Sequence, residues 1–399
     1  MNNYPNNAYP FCALIHFGEL TLKCGNRNWF EEKLTHCVRS KLRGLDISRF
    51  GKEQGRIIIE FAKPYTTKAL QDRLSRVFGV AVYAPAIKAG VGLTDIERAV
   101  ISGLQGRQHV SFAVRARRVE KRLPYTSQEV NEKIGSAVGE LTGWKVNLNS
   151  PDLTIWIDIM KDASYIYMER FKGAGGLPAG TAGKVGVLIS GGIDSPVAAW
   201  RMMKRGCAPV FIHFHSAPFT DRASIEKVEE IVGKLAEWQT GAVKLGLVPL
   251  GDIQKKVVTQ AHEKYRVILY RRFMVRIAEA IAKEMGCEAL VTGEALGQVA
   301  SQTLSNMATV NSVATIPILR PLVGTDKQEI VDLARELGTY DLSIEPHQDC
   351  CQFLEPRHPA TNTTCEELLK VEAGLNINEL VKEGLTGVEW KGIKTVTSD

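Results

Sequence analysis

Hydrophobic and polar positions change rhythm near the middle of the chain. Up to about residue 171, short apolar runs at 13–16, 56–61, 110–114, 154–159 and 164–168 predict strands, and they alternate with helical periodicity at 28–43, 67–78, 92–103 and 127–142. Apolar residues recurring every three or four positions make one face of a helix, whereas runs of four to eight rich in β-branched residues pack as strands. The simplest parse is two successive α+β units, 1–65 and 66–171.

A break follows at 172–184, where five glycines and Pro178 fall among residues 173–183, a composition that predicts a linker. From 185 to 399 the rhythm is strand, helix, strand, helix. Strands are predicted at 185–189, 209–214, 242–249 and 289–292, and helices at 196–205, 223–238 and 271–285. Alternation of this kind builds a parallel doubly wound sheet, whose ligands sit at the carboxyl ends of the strands. Segments 190–195, 213–216 and 293–298 fall at such ends.

Composition supports a multidomain α/β and α+β protein, with 399 residues, 44% of them hydrophobic and 24% charged. No run of about eighteen apolar residues occurs, so no membrane partner is expected. The eight cysteines never form Cys-x-x-Cys and are too sparse for a disulfide scaffold, which predicts a reducing, cytoplasmic home. Charge is unevenly placed: residues 1–172 hold 26 Lys+Arg against 17 Asp+Glu, and residues 173–399 hold 24 against 27. Within the basic half, Arg115, Arg117, Arg118, Lys121 and Arg122 crowd into eight positions. Such clustering suits a nucleic-acid phosphate backbone, and clustering alone equally describes a solvated charged face.

The segment from Val187 to Pro196 carries the chemistry. Ser190, Gly191 and Gly192 allow a tight turn after a buried strand, so that backbone N–H groups and the next helix's N-terminus converge on an anion. Asp194 adds a carboxylate suited to Mg²⁺ beside phosphates, and Ser195 completes the turn. A Walker loop is absent, because Gly183-Lys184 is followed by Val185 and the phosphate-gripping P-loop lysine is missing.

Ser-Gly-Gly-x-Asp-Ser resembles the pyrophosphate (PP) loop of enzymes that split ATP into AMP and pyrophosphate. Together with the basic segment 115–124, the Gly-Gly-Leu-Pro-Ala-Gly-Thr stretch, His213-Phe-His-Ser, Tyr270-Arg-Arg-Phe-Met, the segment 292–302, Leu319-Arg-Pro-Leu and Asp326-Lys327, it resembles the tRNA 4-thiouridine synthetase (ThiI) family over nearly the whole chain. The resemblance implies an N-terminal ferredoxin-like domain, a THUMP RNA-binding domain and a PP-loop domain. It implies ATP-dependent adenylation of uridine 8 of tRNA and replacement of O4 by sulfur, with sulfur delivery to the carrier protein of thiamine thiazole synthesis as a second activity. Two other readings are another PP-loop tRNA-modifying enzyme and a THUMP RNA-binding protein with an inactive nucleotide domain.

Carried over residue by residue, the family's nucleotide contacts fall on Leu188, Ile189, His213, Phe214, Arg271, Gly293 and Gln302, beside the loop residues 190–195. Core packing at a strand end is the plain alternative for His213 and Phe214. Arg271 and Arg272 read as cations at a helix start, where the helix dipole disfavours them unless an anion is near. Asp194 and Lys327 match the acid and base of adenylation. Cys351, in Gln348-Asp349-Cys350-Cys351, aligns with the persulfide cysteine. For the thiol that resolves the persulfide, Cys207 is favoured over Cys350, and a small buried hydrophobe is the alternative for Cys207. The chain ends without the rhodanese-like domain of longer members, so a cysteine desulfurase is expected to load Cys351 directly. An iron–sulfur cluster is not expected without Cys-x-x-Cys, although Cys350, Cys351 and Cys365 are three thiols. Family members are commonly homodimers, which extends the expectation to this chain.

Overall fold

The computed structural model describes residues 12–19, 25–53, 55–63, 65–119, 122–219, 222–346, 354, 356 and 358–394. The chain forms two compact units, Met1–Gly176 and Leu177–Asp399. The first contains β1 (Cys12–Phe17), α1 (Arg27–Lys41), β2 (Ile47–Glu53), β3 (Arg56–Phe61), α2 (Thr67–Leu74), β4 (Val80–Ala89), α3 (Leu93–Leu104), β5 (Ser111–Arg118), α4 (Ser127–Thr142), β6 (Lys145–Val146), β7 (Leu153–Ile159), β8 (Ser164–Tyr167) and β9 (Phe171–Lys172). The two α+β units expected here share one nine-stranded sheet, in the order β2-β3-β1-β4-β8-β7-β5-β6 with β9 also on β4. The joint is β4: Leu14 faces Ala84 on one edge, and Ile87 faces Ile166 on the other.

Helix α4 shows how local chemistry sets an element. Thr126 Oγ1 accepts from Glu129 N at 3.2 Å, and Glu129 Oε2 accepts from Thr126 N at 2.5 Å, closing a capping box. Val130, Ile134 and Val138, four residues apart, are buried against the sheet, and Gly143 ends the helix at φ 72°.

The glycine-rich stretch is hydrogen-bonded on both sides of the division. Gly173 N and Gly175 N donate to Ala81 O and Val80 O at 2.8 Å, while Leu177 N donates to Lys204 O at 2.9 Å and Ala182 N to Gly206 O at 3.1 Å.

The second unit contains β10 (Lys184–Leu188), α5 (Asp194–Lys204), β11 (Ala208–His215), α6 (Ala223–Ala236), β12 (Val243–Pro249), α7 (Gly251–Gln260), α8 (Arg266–Glu284), β13 (Ala289–Val291), α9 (Leu304–Asn311), β14 (Ile318–Leu319), α10 (Lys327–Leu337), α11 (Tyr340–Ile344), α12 (Cys365–Glu372), α13 (Ile377–Thr386) and β15 (Glu389–Ile393). Its sheet runs β14-β13-β10-β11-β12-β15. All neighbours are parallel except β15, which caps the β12 edge in the antiparallel sense.

Register places the chemistry. Leu188 lies beside Ile212, Val187 beside Val291, and Val291 beside Leu319. Segments 189–195, 213–216, 292–294 and Arg320 therefore emerge along one edge of the sheet, at its carboxyl ends.

Helix α8 is buried around most of its circumference. Arg272, fully buried in it, donates from Nε and Nη2 to the two oxygens of Glu372, each at 2.7 Å, and Arg276 grips the same carboxylate at 2.7 and 2.9 Å. This pair of forks ties α8 to α12, and removal of the carboxylate would leave buried guanidinium charge unpaired, a loss of about 3–5 kcal/mol.

Candidate active site and nucleic-acid interface

The turn after β10 is built from its own side chains. Ser190 N donates to Ser195 Oγ at 2.9 Å, Ser195 Oγ donates to Ser190 O at 3.2 Å, and the two hydroxyls lie 3.1 Å apart. Ile193, the N-cap of α5, makes no side-chain capping hydrogen bond, so the first turn of that helix offers N–H groups to a ligand. Gly293 closes the turn from β13. A Cβ there would lie 2.7 Å from both Ser195 N and Ser195 Cα, a contact only glycine avoids.

Of the nucleotide-site residues expected from sequence, Leu188, Ile189, Ser190, Gly192, Asp194, Ser195, His213, Phe214, Arg271, Gly293 and Gln302 all line one cleft at this edge. Gly191 lies in the same turn. His213 Nδ1 donates to Ile189 O at 3.0 Å, tying β11 to the loop strand. Gln302 is 7% exposed and its Oε1 is buried without a partner among the described residues. A buried acceptor left unmet is costly, so a donor on a ligand is the natural complement.

Lys327 Nζ meets Asp194 Oδ1 at 2.5 Å, and Gln298 Nε2 donates to Asp194 Oδ2 at 2.9 Å. Asp326 caps α10 through Gln328 N at 2.8 Å, which fixes Lys327 as the first residue of that helix. A lysine in a first turn opposes the helix dipole, whereas Asp194 in the first turn of α5 is favoured by its own. The ion pair therefore offsets a local conflict and joins two helix N-termini at one point.

Arg271 and Arg272 lie in the second turn of α8, since the helix begins at Arg266. The anions that account for them are carboxylates of the protein. Arg272 takes Glu372, and Arg271 Nη1 donates to Glu294 Oε1 at 2.8 Å. Arg320 Nε donates to Glu294 Oε2 at 2.7 Å and Thr292 Oγ1 to the same oxygen at 2.9 Å. Burial pushes the Glu294 pKa up, but the two guanidiniums and the hydrogen bonds outweigh it, and the net shift is downward. Glu294, Arg320 and Gln298 were not singled out from sequence. Glu294 and Gln298 sit within the segment 292–302, and Arg320 within Leu319-Arg-Pro-Leu, but nothing in one dimension pairs residues 26 positions apart.

Cys207 is not brought to this cleft. It precedes β11 at the amino end of the parallel strands, roughly 20 Å along the strand from Phe214 at 3.3 Å per residue. It is 4% exposed, and burial, with Glu288 nearby, raises its thiol pKa. The geometry matches the small buried hydrophobe. Cys350 and Cys351 lie outside the described residues. The chain before them is held by Lys227 Nζ, which donates to Ser343 O at 3.1 Å and Glu345 O at 2.5 Å. The chain after them is held by Asn306 Nδ2, which donates to Ala360 O at 2.8 Å. Cys365 opens α12 and is exposed. Among the described residues no group of three His, Cys, Asp or Glu side chains is placed to hold a metal ion.

In the first unit, Arg115 and Arg117 line a cleft with Arg56, Arg170 and Trp156. Arg115 Nη2 donates to Leu148 O at 3.0 Å, and the Arg170 guanidinium sits 4.4 Å from the Trp156 ring centroid. Asp158 accepts from Arg56 Nε at 2.8 Å. Burial first, and Arg56 next, push the neighbouring His16 down to about 4, so the imidazole there is neutral at pH 7. Arg118 serves a different purpose: its Nη1 donates to Leu123 O at 2.9 Å and to Tyr125 O, bracing the turn before α4. Arg122 is exposed, and Lys121 lies outside the described residues. Arg56 and Arg170 were missed because strand pairing, not sequence proximity, brings them to Arg115.

No helix among the described residues is long and apolar enough to cross a membrane. Residues 180–377 match the thiamine biosynthesis protein (ThiI) family, residues 12–84 the ThiI ferredoxin-like domain and residues 94–169 the THUMP domain. A probable tRNA sulfurtransferase of Brevibacillus brevis is 41% identical over 385 residues, 96% of this chain and 96% of that one. Its counterpart in Thermus thermophilus is 41% identical over 368 residues, 92% of this chain and 89% of that one. Among solved structures, a 4-thiouridine synthetase in complex with RNA and with bound ATP matches at a TM-score of 0.88 and 35% identity, covering 96% of this chain and 99% of that chain.

Proposed function

Because this chain belongs to the ThiI family along its ferredoxin-like, THUMP and nucleotide-binding segments alike, we propose that it is an ATP-dependent tRNA sulfurtransferase that converts uridine 8 to 4-thiouridine. The observation that carries this reading is the cleft itself: a Ser-Gly-Gly-x-Asp-Ser turn at a helix N-terminus with no P-loop lysine, closed by Asp194 and Lys327 at 2.5 Å.

ATP occupies the cleft with its β- and γ-phosphates in the 190–195 turn and its base against Phe214, Leu188 and Ile189. Uracil O4 attacks the α-phosphorus, the bond to pyrophosphate breaks, and the electron pair leaves with pyrophosphate. Lys327 stabilises charge that develops on the phosphoryl oxygens, where preorganised cations contribute most. Asp194 orients that ammonium. Mg²⁺ fits as a partner of one carboxylate plus nucleotide oxygens, so Asp194 would hold it, and bound there it would supply neutralisation of the leaving pyrophosphate.

Sulfur follows. A cysteine desulfurase loads Cys351 as a persulfide, whose terminal sulfur attacks C4. AMP departs with the C4–O4 electron pair. A second thiol then attacks Cys351 Sγ, the S–S bond breaks with its electrons on the thiouridine sulfur, and the resulting disulfide is reduced by an external thiol. Cys207, buried in its described position, is poorly placed to be that second thiol.

The test is the product of ATP turnover with tRNA. AMP and pyrophosphate are expected by chromatography, and ADP as the main product would contradict the reading. The RNA half has its own test. Charge reversal at Arg117, which is exposed in the basic cleft, is expected to weaken tRNA binding and flatten the plot of log affinity against log salt by roughly one unit of slope, since about one counterion is released per phosphate contact. An unchanged slope would assign Arg117 to a solvated face.

A further inference from the structure

Arg320 emerges from the end of β14 beside the turn that grips the nucleotide, and its partners are unusual. Glu294 presents one oxygen to Arg271 Nη1 at 2.8 Å and the other to Arg320 Nε at 2.7 Å. Two guanidiniums thus share one carboxylate, and the trio keeps one net positive charge. The carboxylate is 6% exposed and the guanidiniums 22% and 14%. Arg271 Nε and Arg320 Nη2 are buried with no hydrogen-bond partner among the described residues. Both residues line the same cleft as Gly293 and Ser195.

Unmet buried donors and uncompensated positive charge in one wall call for an oxyanion, and guanidinium forks match phosphate geometry. The nucleobase cannot supply it, because a base carries no charge. The pyrophosphate already has the turn and the α5 N-terminus. The phosphate between them, the one AMP retains, is left.

We propose that Arg320 is a second guanidinium contact to the α-phosphate of the nucleotide, and that Glu294 is the positioning residue that aligns Arg320 with Arg271. This rests on the nucleotide reading of the cleft. The pair supplies fixed positive charge both while the α-phosphorus is attacked and while AMP leaves, and Glu294 keeps the two forks from repelling one another.

The test compares AMP with adenosine, binding each to the full-length protein by isothermal titration calorimetry. Wild type is expected to prefer AMP. Arg320→Gln is expected to lower AMP affinity by about 10- to 100-fold, the range for a hydrogen bond to a charged group, with adenosine affinity unchanged. Arg320→Lys keeps the charge without the fork and is expected to fall between, which serves if Arg320→Gln does not fold. Glu294→Gln is expected to reduce the AMP preference with adenosine binding intact. A parallel fall for AMP and adenosine would make Arg320 merely structural, and an unchanged AMP preference would remove it from the phosphate. Wild type that binds neither compound would overturn the nucleotide reading along with this one.

Discussion

Replacing Asp194 with alanine is expected to lower tRNA-dependent pyrophosphate release by at least about 100-fold, the scale of losing one preorganised electrostatic contact to charge that develops in the transition state. Asp194 is engaged through both of its oxygens. It aligns Lys327 Nζ at 2.5 Å, and its second oxygen is held by Gln298 at 2.9 Å. Loss of the carboxylate frees Lys327 in a helix first turn where the dipole already opposes its charge. Lys327→Ala is expected to give a similar loss. Because the two act as a unit, the double variant is expected to be little worse than the poorer single one, whereas independent roles would multiply. Affinity for tRNA is expected to hold, since Arg115 and Arg117 belong to the unit Met1–Gly176 and Asp194 to Leu177–Asp399. A variant with wild-type pyrophosphate release would remove the acid from the mechanism.

Cys351→Ser is expected to separate the two half-reactions. Adenylation draws only on the cleft, so pyrophosphate release with tRNA should persist within a few-fold. Sulfur transfer needs a thiolate that can accept and present sulfane sulfur, and a serine hydroxyl does neither. Formation of 4-thiouridine is expected to fall below detection with a persulfide donor, measured on digested tRNA. Thiolation at the wild-type rate would mean that another cysteine or free sulfide is the nucleophile.

What the sequence displayed depended on range. The 190–195 turn was legible because its chemistry is contiguous: an apolar strand, two glycines, an acid and a helix start. The parallel sheet was legible from apolar runs such as 209–214, which are buried on both faces. Strand β4 was not, because Pro85 and four alanines dilute its signal, although it joins both halves of the first sheet. Strand β15 reads Glu-Trp-Lys-Gly-Ile and lacks an apolar run, yet it finds a place on the β12 edge. The start of α8 was misplaced because Val267-Ile-Leu-Tyr270 is apolar throughout; a helix buried on nearly every side hides its period. The same cause explains the site. The 190–195 loop was found from its own residues and His213, Phe214, Arg271, Gly293 and Gln302 through the family resemblance, whereas Glu294, Arg320, Arg56 and Arg170 needed strand register to reach their partners.

The proposed activity is one chemical outcome, ATP-driven exchange of oxygen for sulfur on a tRNA uracil. Its most direct test is mass spectrometry of nucleosides from unmodified tRNA incubated with the protein, ATP, Mg²⁺ and a persulfide donor, with nucleotide products quantified in the same reaction. The expected result is 4-thiouridine at position 8, formed with AMP and dependent on ATP. Unmodified uridine at that position, with ATP consumed to ADP or not at all, would contradict it.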